Sequence, residues 1–95
     1  MTAYVLVDLD VHDSPTMSQY EAEVGPIIAQ YGGKLLVKEL NPDLYEGDWV
    51  PTCIVVLEFP DRAAVRAFYE APEYQPVRAL RTRASTSNGL IVVGD

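Results

Sequence analysis

The chain holds only one cysteine, one histidine and one tryptophan in 95 residues. A lone thiol, Cys53, cannot close an internal disulfide, so the fold does not depend on an oxidising compartment. The same scarcity leaves no zinc-type cysteine spacing, and no glycine-rich phosphate loop is present. No apolar run approaches the roughly 18 residues of a membrane span. The apolar stretch near the N-terminus is broken by Asp8 and Asp10 and has no basic residue before it, so it does not read as a signal peptide. Positive charge is also scarce: 7 Lys and Arg stand against 14 Asp and Glu, for a net charge of −7. Nucleic acid requires a basic footprint and is therefore not an expected partner. A membrane is not one either, and a cytoplasmic protein is expected.

What is present is an ordinary globular balance, 48% hydrophobic and 22% charged. The length corresponds to one domain over residues 1–95 with a thin core and about 5,400 Å² of folded surface. Such a chain gains from pairing with a copy of itself. The charge is uneven. Residues 1–33 carry Asp8, Asp10, Asp13, Glu21 and Glu23 and no Lys or Arg, whereas Arg62, Arg66, Arg78, Arg81 and Arg83 crowd residues 62–83. Pairing of these two segments, within the fold or across a dimer, is the expectation; a small anion pocket on the basic segment is the alternative.

Tyr4–Val11 reads as a strand. Asp13-Ser14-Pro15 then starts a helix, with Asp13 or Ser14 as cap. Met17, Tyr20, Val24, Ile27, Ile28 and Tyr31 recur at helical spacing until Gly32-Gly33 stops the helix. Pro26 lies opposite this stripe and predicts a kink. Lys34–Glu39 is a second strand, broken at Asn41-Pro42-Asp43 and resumed at Leu44-Tyr45-Glu46. Thr52–Phe59 is a third strand. Asp61 caps a second helix that turns Ala64, Val65 and Phe68 inward, and Pro72 ends it or starts a new turn. A helical piece spans Tyr74–Ala84, and Asn88–Val93 is the last strand. The order β-α-β-β-α-β is the ferredoxin-like α+β pattern with a four-stranded antiparallel sheet. Its helices cover one face only. The third and fourth strands are nevertheless apolar on both parities, and a second copy is the simplest cover for the open face, giving an isologous homodimer.

Several segments are similar to a known family. Residues 3–13 (AYVLVDLDVHD), Tyr31-Gly32-Gly33, Glu46-Gly47-Asp48-Trp49-Val50-Pro51, Val56-Leu57-Glu58-Phe59-Pro60, Pro72-Glu73-Tyr74-Gln75 and Leu80-Arg81 resemble domain-of-unknown-function family 1330 over nearly the whole chain. The resemblance implies a dimeric α+β barrel, in which two ferredoxin-like sheets pack face to face. That superfamily includes cofactor-independent monooxygenases, isomerases and haem enzymes, with pockets between the sheet and the helices of one subunit. It implies a small-molecule pocket; a cofactor-independent enzyme acting on a small anionic or aromatic molecule is one expectation. A non-catalytic binding or accessory protein is another, and a ligand-free structural dimer a third. Lys34 stands where the family often has Arg, and Thr52-Cys53 where it commonly has a basic residue, which weakens any anion-binding role there.

Asp8, Asp10 and His12 share one strand parity. Successive steps of about 6.5–7 Å are too wide for easy chelation, so no metal is expected, and His12 is a candidate acid or base. Arg81 falls on the inward arc of its helix with Tyr74, Val77, Leu80 and Ala84. A buried guanidinium needs a carboxylate, for which Asp8 and Glu58 are candidates, or it binds a ligand oxyanion. Glu58 interrupts an apolar strand and is a candidate base. Tyr20, Tyr69 and Tyr74 lie where phenols line a pocket. Trp49 is expected at a dimer seam rather than over the pocket. A Cys53–His12 pair is geometrically possible, but a cysteine in an apolar strand is usually inert packing.

Overall fold

The computed structural model describes residues 2–95. Strand β1 (Ala3–Val11) leads into helix α1 (Ser14–Gln30), followed by β2 (Lys34–Glu39), β3 (Ile54–Phe59), α2 (Arg62–Glu70), α3 (Tyr74–Ala84) and β4 (Ser85–Gly94). The strands form one antiparallel sheet in the order β2-β3-β1-β4. All three helices pack on one face. The molecule is accordingly only 17 Å thick against 34 and 32 Å across. Its 5880 Å² of surface exceeds the roughly 5,400 Å² of an average chain of this mass, as an uncovered sheet face requires.

The helix ends follow from local chemistry. Asp13 accepts from the Thr16 backbone N–H at 3.2 Å and from its hydroxyl at 2.7 Å. Asp61 caps α2 by accepting from the Ala64 N–H at 2.8 Å. At the far end of α1, Gly32 takes φ +81° and donates to the Ala29 carbonyl, while Gly33 donates to that of Ile28. These two bonds close the helix as a Schellman motif. Gly33 is required for space as well: a Cβ there would stand 2.6 Å from the Phe59 ring. Pro26 faces solvent inside α1, which runs through it as one helix.

Alternation along β1 buries Ala3, Val5, Val7 and Leu9 beneath the helices. The register places Leu57 and Phe59 of β3 on the same face, with Tyr4, Leu6, Asp8, Val56 and Glu58 on the other. Phe59, Phe68 and Tyr74 form an aromatic seam in the core, with ring centroids 5.5 and 4.4 Å apart.

Three expectations need correction. The second strand does not resume at Leu44-Tyr45-Glu46; residues 40–53 form no strand, and the irregularity lies inside β2, between Leu35 and Val37. The last strand begins at Ser85, because the C-terminus of α3 passes directly into pairing with Val11. Finally, of the pairing expected between the acidic and basic segments within the fold or across a dimer, the part within the fold is not found among the described residues. The two ion pairs among the described residues join Lys34 to Glu58 and Lys38 to Glu21, and the arginines take neutral partners: Arg62 donates to the Gly94 carbonyl and Arg78 to the Tyr69 hydroxyl.

Candidate functional site

Between the sheet and the helices lies a cavity of about 310 Å³. Its floor is the inner face of all four strands, including Val7, Val55, Leu35 and Leu90. Its roof is α1, α2 and α3. The lining is mostly apolar, and its polar groups gather at two places.

The first is the α3 side, beside the end of β1, where Ala84 accepts from the His12 and Asp13 backbone N–H groups. Here Arg81 is only 7% exposed and lines the cavity. Its Nε is buried and has no hydrogen-bond partner. The hydroxyls of Tyr20 and Tyr74 share one hydrogen bond of 2.9 Å. Burial first, and then the adjacent Tyr74 phenol, push the Tyr20 hydroxyl well above the usual tyrosine range, and Arg81 pulls weakly the other way. Tyr20 is therefore a neutral phenol at neutral pH. Tyr69 also lines the cavity, but its hydroxyl accepts from Arg78 at 2.7 Å, with that guanidinium 5.0 Å from its ring centroid.

The second place is the edge between α1 and β2. Lys38 and Glu21 both line the cavity and form an ion pair of 2.6 Å. The β-bulge in β2 puts Lys38 there. Lys34 pairs with Glu58 on the outer face, and strict alternation would send Lys38 to the same side. The extra residue shifts the parity, so that Lys38 stands opposite Val55 on the inner face.

The other sequence candidates do not reach the cavity. Glu58 points to the outer face, opposite Tyr4, and meets Lys34 at 3.5 Å. Asp8 lies on that face too, accepting from Trp49 Nε1 at 2.7 Å and from Asn88 Nδ2 at 3.3 Å. Neither carboxylate pairs with Arg81, because the sheet separates them from it. Asp10 accepts from Thr52 at 2.7 Å and from Asn88 at 3.0 Å. His12 is exposed at the end of β1. No group of three or more His, Cys, Asp or Glu able to hold a metal occurs among the described residues. Trp49 sits over a shallow outer depression with Leu6, Ile54 and Ile91, away from the helix side. Cys53 is buried in the cavity wall without His12, and burial pushes its thiol pKa up, which disfavours the nucleophilic thiolate.

Sequence reasoning missed the rim. Glu21, Val24, Gly25 and Ile28 follow i, i+3, i+4, i+7 spacing and all line the cavity. That spacing was a usable signal for Gly25. The position of Lys38 was not readable, because a bulge inverts its face.

The chain matches, over residues 2–95, the family described as Domain of unknown function (DUF1330), and belongs to it. No curated protein matches it. Among solved structures it is similar to a protein of unknown function from Rhodopseudomonas palustris, at 16% identity and a TM-score of 0.75, covering 97% of this chain and 78% of that one. It is also similar to SnoaB, a cofactor-independent oxygenase from Streptomyces nogalater, at 18% identity and a TM-score of 0.72 over 99% and 92% of the two chains. A third is a dimeric ferredoxin-like protein of unknown function from Jannaschia sp. CCS1, at 20% identity and a TM-score of 0.70 over 98% and 96%. The ferredoxin-like fold is shared by all three.

Proposed function

We propose that this DUF1330 protein is a homodimer that acts, without a cofactor, on a small anionic or aromatic organic molecule held between its sheet and its helices. Arg81 carries this reading. It is a buried guanidinium facing a cavity, its Nε has no partner, and no carboxylate pairs with it among the described residues. An uncompensated buried charge is costly, and a ligand oxyanion is the partner the site lacks. Fixed donors at the place where an oxyanion develops stabilise it without reorganisation, which is the chemistry Arg81 and the Tyr20–Tyr74 pair can supply. The cofactor-independent activity named for SnoaB is in keeping with a pocket of this kind, as analogy at the level of fold.

The homodimer is supported by the outer sheet face, where Tyr4 on β1, Val37 on β2 and Ile91 and Val93 on β4 are exposed apolar side chains. The dimeric Jannaschia protein shares the fold. A cytoplasmic setting accords with the single free thiol, and no helix is long and apolar enough to cross a membrane.

A non-catalytic binding role is the second reading, and one observation favours it. Glu58 and His12, the general-base candidates from the sequence, lie outside the cavity, the one carboxylate in its lining, Glu21, is tied to Lys38, and burial raises the pKa of the Tyr20 phenol. The test is depletion of metabolites from a defined mixture, alongside extraction of any molecule retained through purification. Arg81→Ala should abolish depletion by about 100-fold, a loss typical of removing an oxyanion donor, while Glu58→Gln leaves it intact. Depletion unchanged in Arg81→Ala overturns the assignment to this cavity. Tight retention with no turnover selects the binding role.

A further inference from the structure

The cavity has one charge to satisfy and an open rim at the β2 edge, and together these define a ligand class. Arg81, Lys38 and Glu21 are its charged lining residues. Lys38 and Glu21 neutralise each other, which leaves one uncompensated positive charge at Arg81. The other polar groups beside it are Tyr20 and Tyr74. Two hydroxyls that share one hydrogen bond leave one O–H free to donate, whichever of them accepts. This end of the cavity thus presents N–H and O–H donors and no carboxylate, which favours a monoanion with accepting oxygens and disfavours an amine.

The rest of the cavity is mostly apolar and crosses the sheet. Adjacent strands stand about 4.8 Å apart, so the path from β1 across β3 to β2 is about 10 Å. At its far end, beside the Lys38–Glu21 ion pair, the rim is open and otherwise lined by apolar side chains: Leu35 is 56% and Leu40 65% exposed, and both line the cavity. Across from them α1 carries Gly25, also in the lining. Glycine in a helix interior costs about 1 kcal/mol relative to alanine. The usual reasons for it are absent here: its φ is not positive, and a Cβ would meet nothing within 4 Å. The unfilled space at Gly25 belongs to the cavity mouth.

We propose that the cavity takes an amphipathic monoanion, its carboxylate or enolate oxygens on Arg81 and the tyrosine pair and its apolar body lying across β1, β3 and β2, admitted between α1 and β2 past Gly25. This rests on the reading of the cavity as a small-molecule site and deepens it. A volume of about 310 Å³ is at the small end of ligand pockets and suits a body of one or two rings or a short chain.

The test uses the full chain with three carboxylates (benzoate, 2-naphthoate and decanoate) and the uncharged alcohol and the amine matched to 2-naphthoate. Calorimetry gives affinities, and amide shifts in NMR report the place. At least one carboxylate should bind tenfold or more tighter than the alcohol, with shifts at residues 21–28, 35–40 and 81 and no saturable binding of the amine. Arg81→Met should erase the preference of carboxylate over alcohol. Gly25→Leu should weaken the carboxylate tenfold or more while the fold is retained. It sits at an exposed helix position, so it keeps the test decisive if Arg81→Met does not fold. Equal binding of the three naphthyl compounds at the cavity overturns the ligand class but leaves a small-molecule site standing. An unchanged affinity in Gly25→Leu overturns the route. Absence of saturable shifts with all five compounds overturns the ligand class and the small-molecule site together.

Discussion

The two faces of the sheet treat polar residues in opposite ways. On the outer face, carboxylates that interrupt apolar strands are satisfied by neighbours: Asp8 by Trp49 and Asn88, Asp10 by Thr52 and Asn88, Glu58 by Lys34. On the inner face a single guanidinium, from a helix, has an Nε with no partner at all. A polar side chain that breaks an apolar pattern is therefore not by itself a sign of chemistry. The distinction lies in whether the fold has already supplied its partner.

The sharpest break of that comparison is between two neighbours on β3. Phe59 is 1% exposed on the inner face, and Glu58 is the next residue on the outer one. Phe59→Ala should cost about 3–5 kcal/mol of stability, as large-to-small changes of buried aromatics do. Glu58→Gln removes a partly exposed ion pair and should cost less than about 0.5 kcal/mol. Urea denaturation of both variants checks this; a larger loss in Glu58→Gln would mean that the outer face is buried more deeply than one chain shows.

The second prediction concerns what covers the outer face. Ile91, 56% exposed on this face in edge strand β4, should tolerate charge in the isolated chain but not in a dimer. Ile91→Glu should halve the mass seen by sedimentation at micromolar concentration while far-UV circular dichroism stays unchanged. A wild-type chain that sediments as a monomer contradicts the dimer outright.

Much of the fold was legible in the sequence because it is written in short-range patterns. Asp13, Asp61 and Gly32-Gly33 punctuate the helices by local hydrogen bonding, and β1 alternates cleanly. Arg81 was identifiable from helical spacing alone. The faces of Asp8 and Glu58 were not assigned, although Glu58 sits between buried Leu57 and Phe59 and alternation fixes it outward. Lys38 and Asn88 were illegible for a firmer reason. Each is placed by a register shift, one in β2 and one in β4, and a bulge adds a residue without a sequence mark. The partners of Arg81 are a tertiary matter that no local pattern encodes.

The third prediction returns to the inner face. Replacing an unpaired buried charge by an apolar side chain of similar length removes a desolvation penalty. Arg81→Met should therefore raise the stability of the ligand-free protein by about 1 kcal/mol or more, while Tyr74→Phe, which loses a shared hydrogen bond, should lower it by about 1 kcal/mol. A loss of several kcal/mol in Arg81→Met would show instead that the guanidinium is a structural tie.

The smallest effect tests the outer network through pH. The hydrogen bonds from Asn88 and then Thr52 hold the Asp10 carboxyl below its ordinary value. A carboxyl depressed in the folded state contributes stability above its unfolded pKa, near 3.9, and that contribution disappears as pH falls through the folded value. Asn88→Ala should move the folded pKa of Asp10 up toward the unfolded one, which carboxyl ¹³C titration reads directly. The variant should then be less stable than the wild type at pH 7, and the gap should narrow in acid as the carboxyl is protonated in both. Thr52→Val should do the same to a lesser degree. A gap that is equal at pH 7 and pH 2.5 would mean that Asn88 acts through the β4 bulge it occupies and not through the charge it solvates.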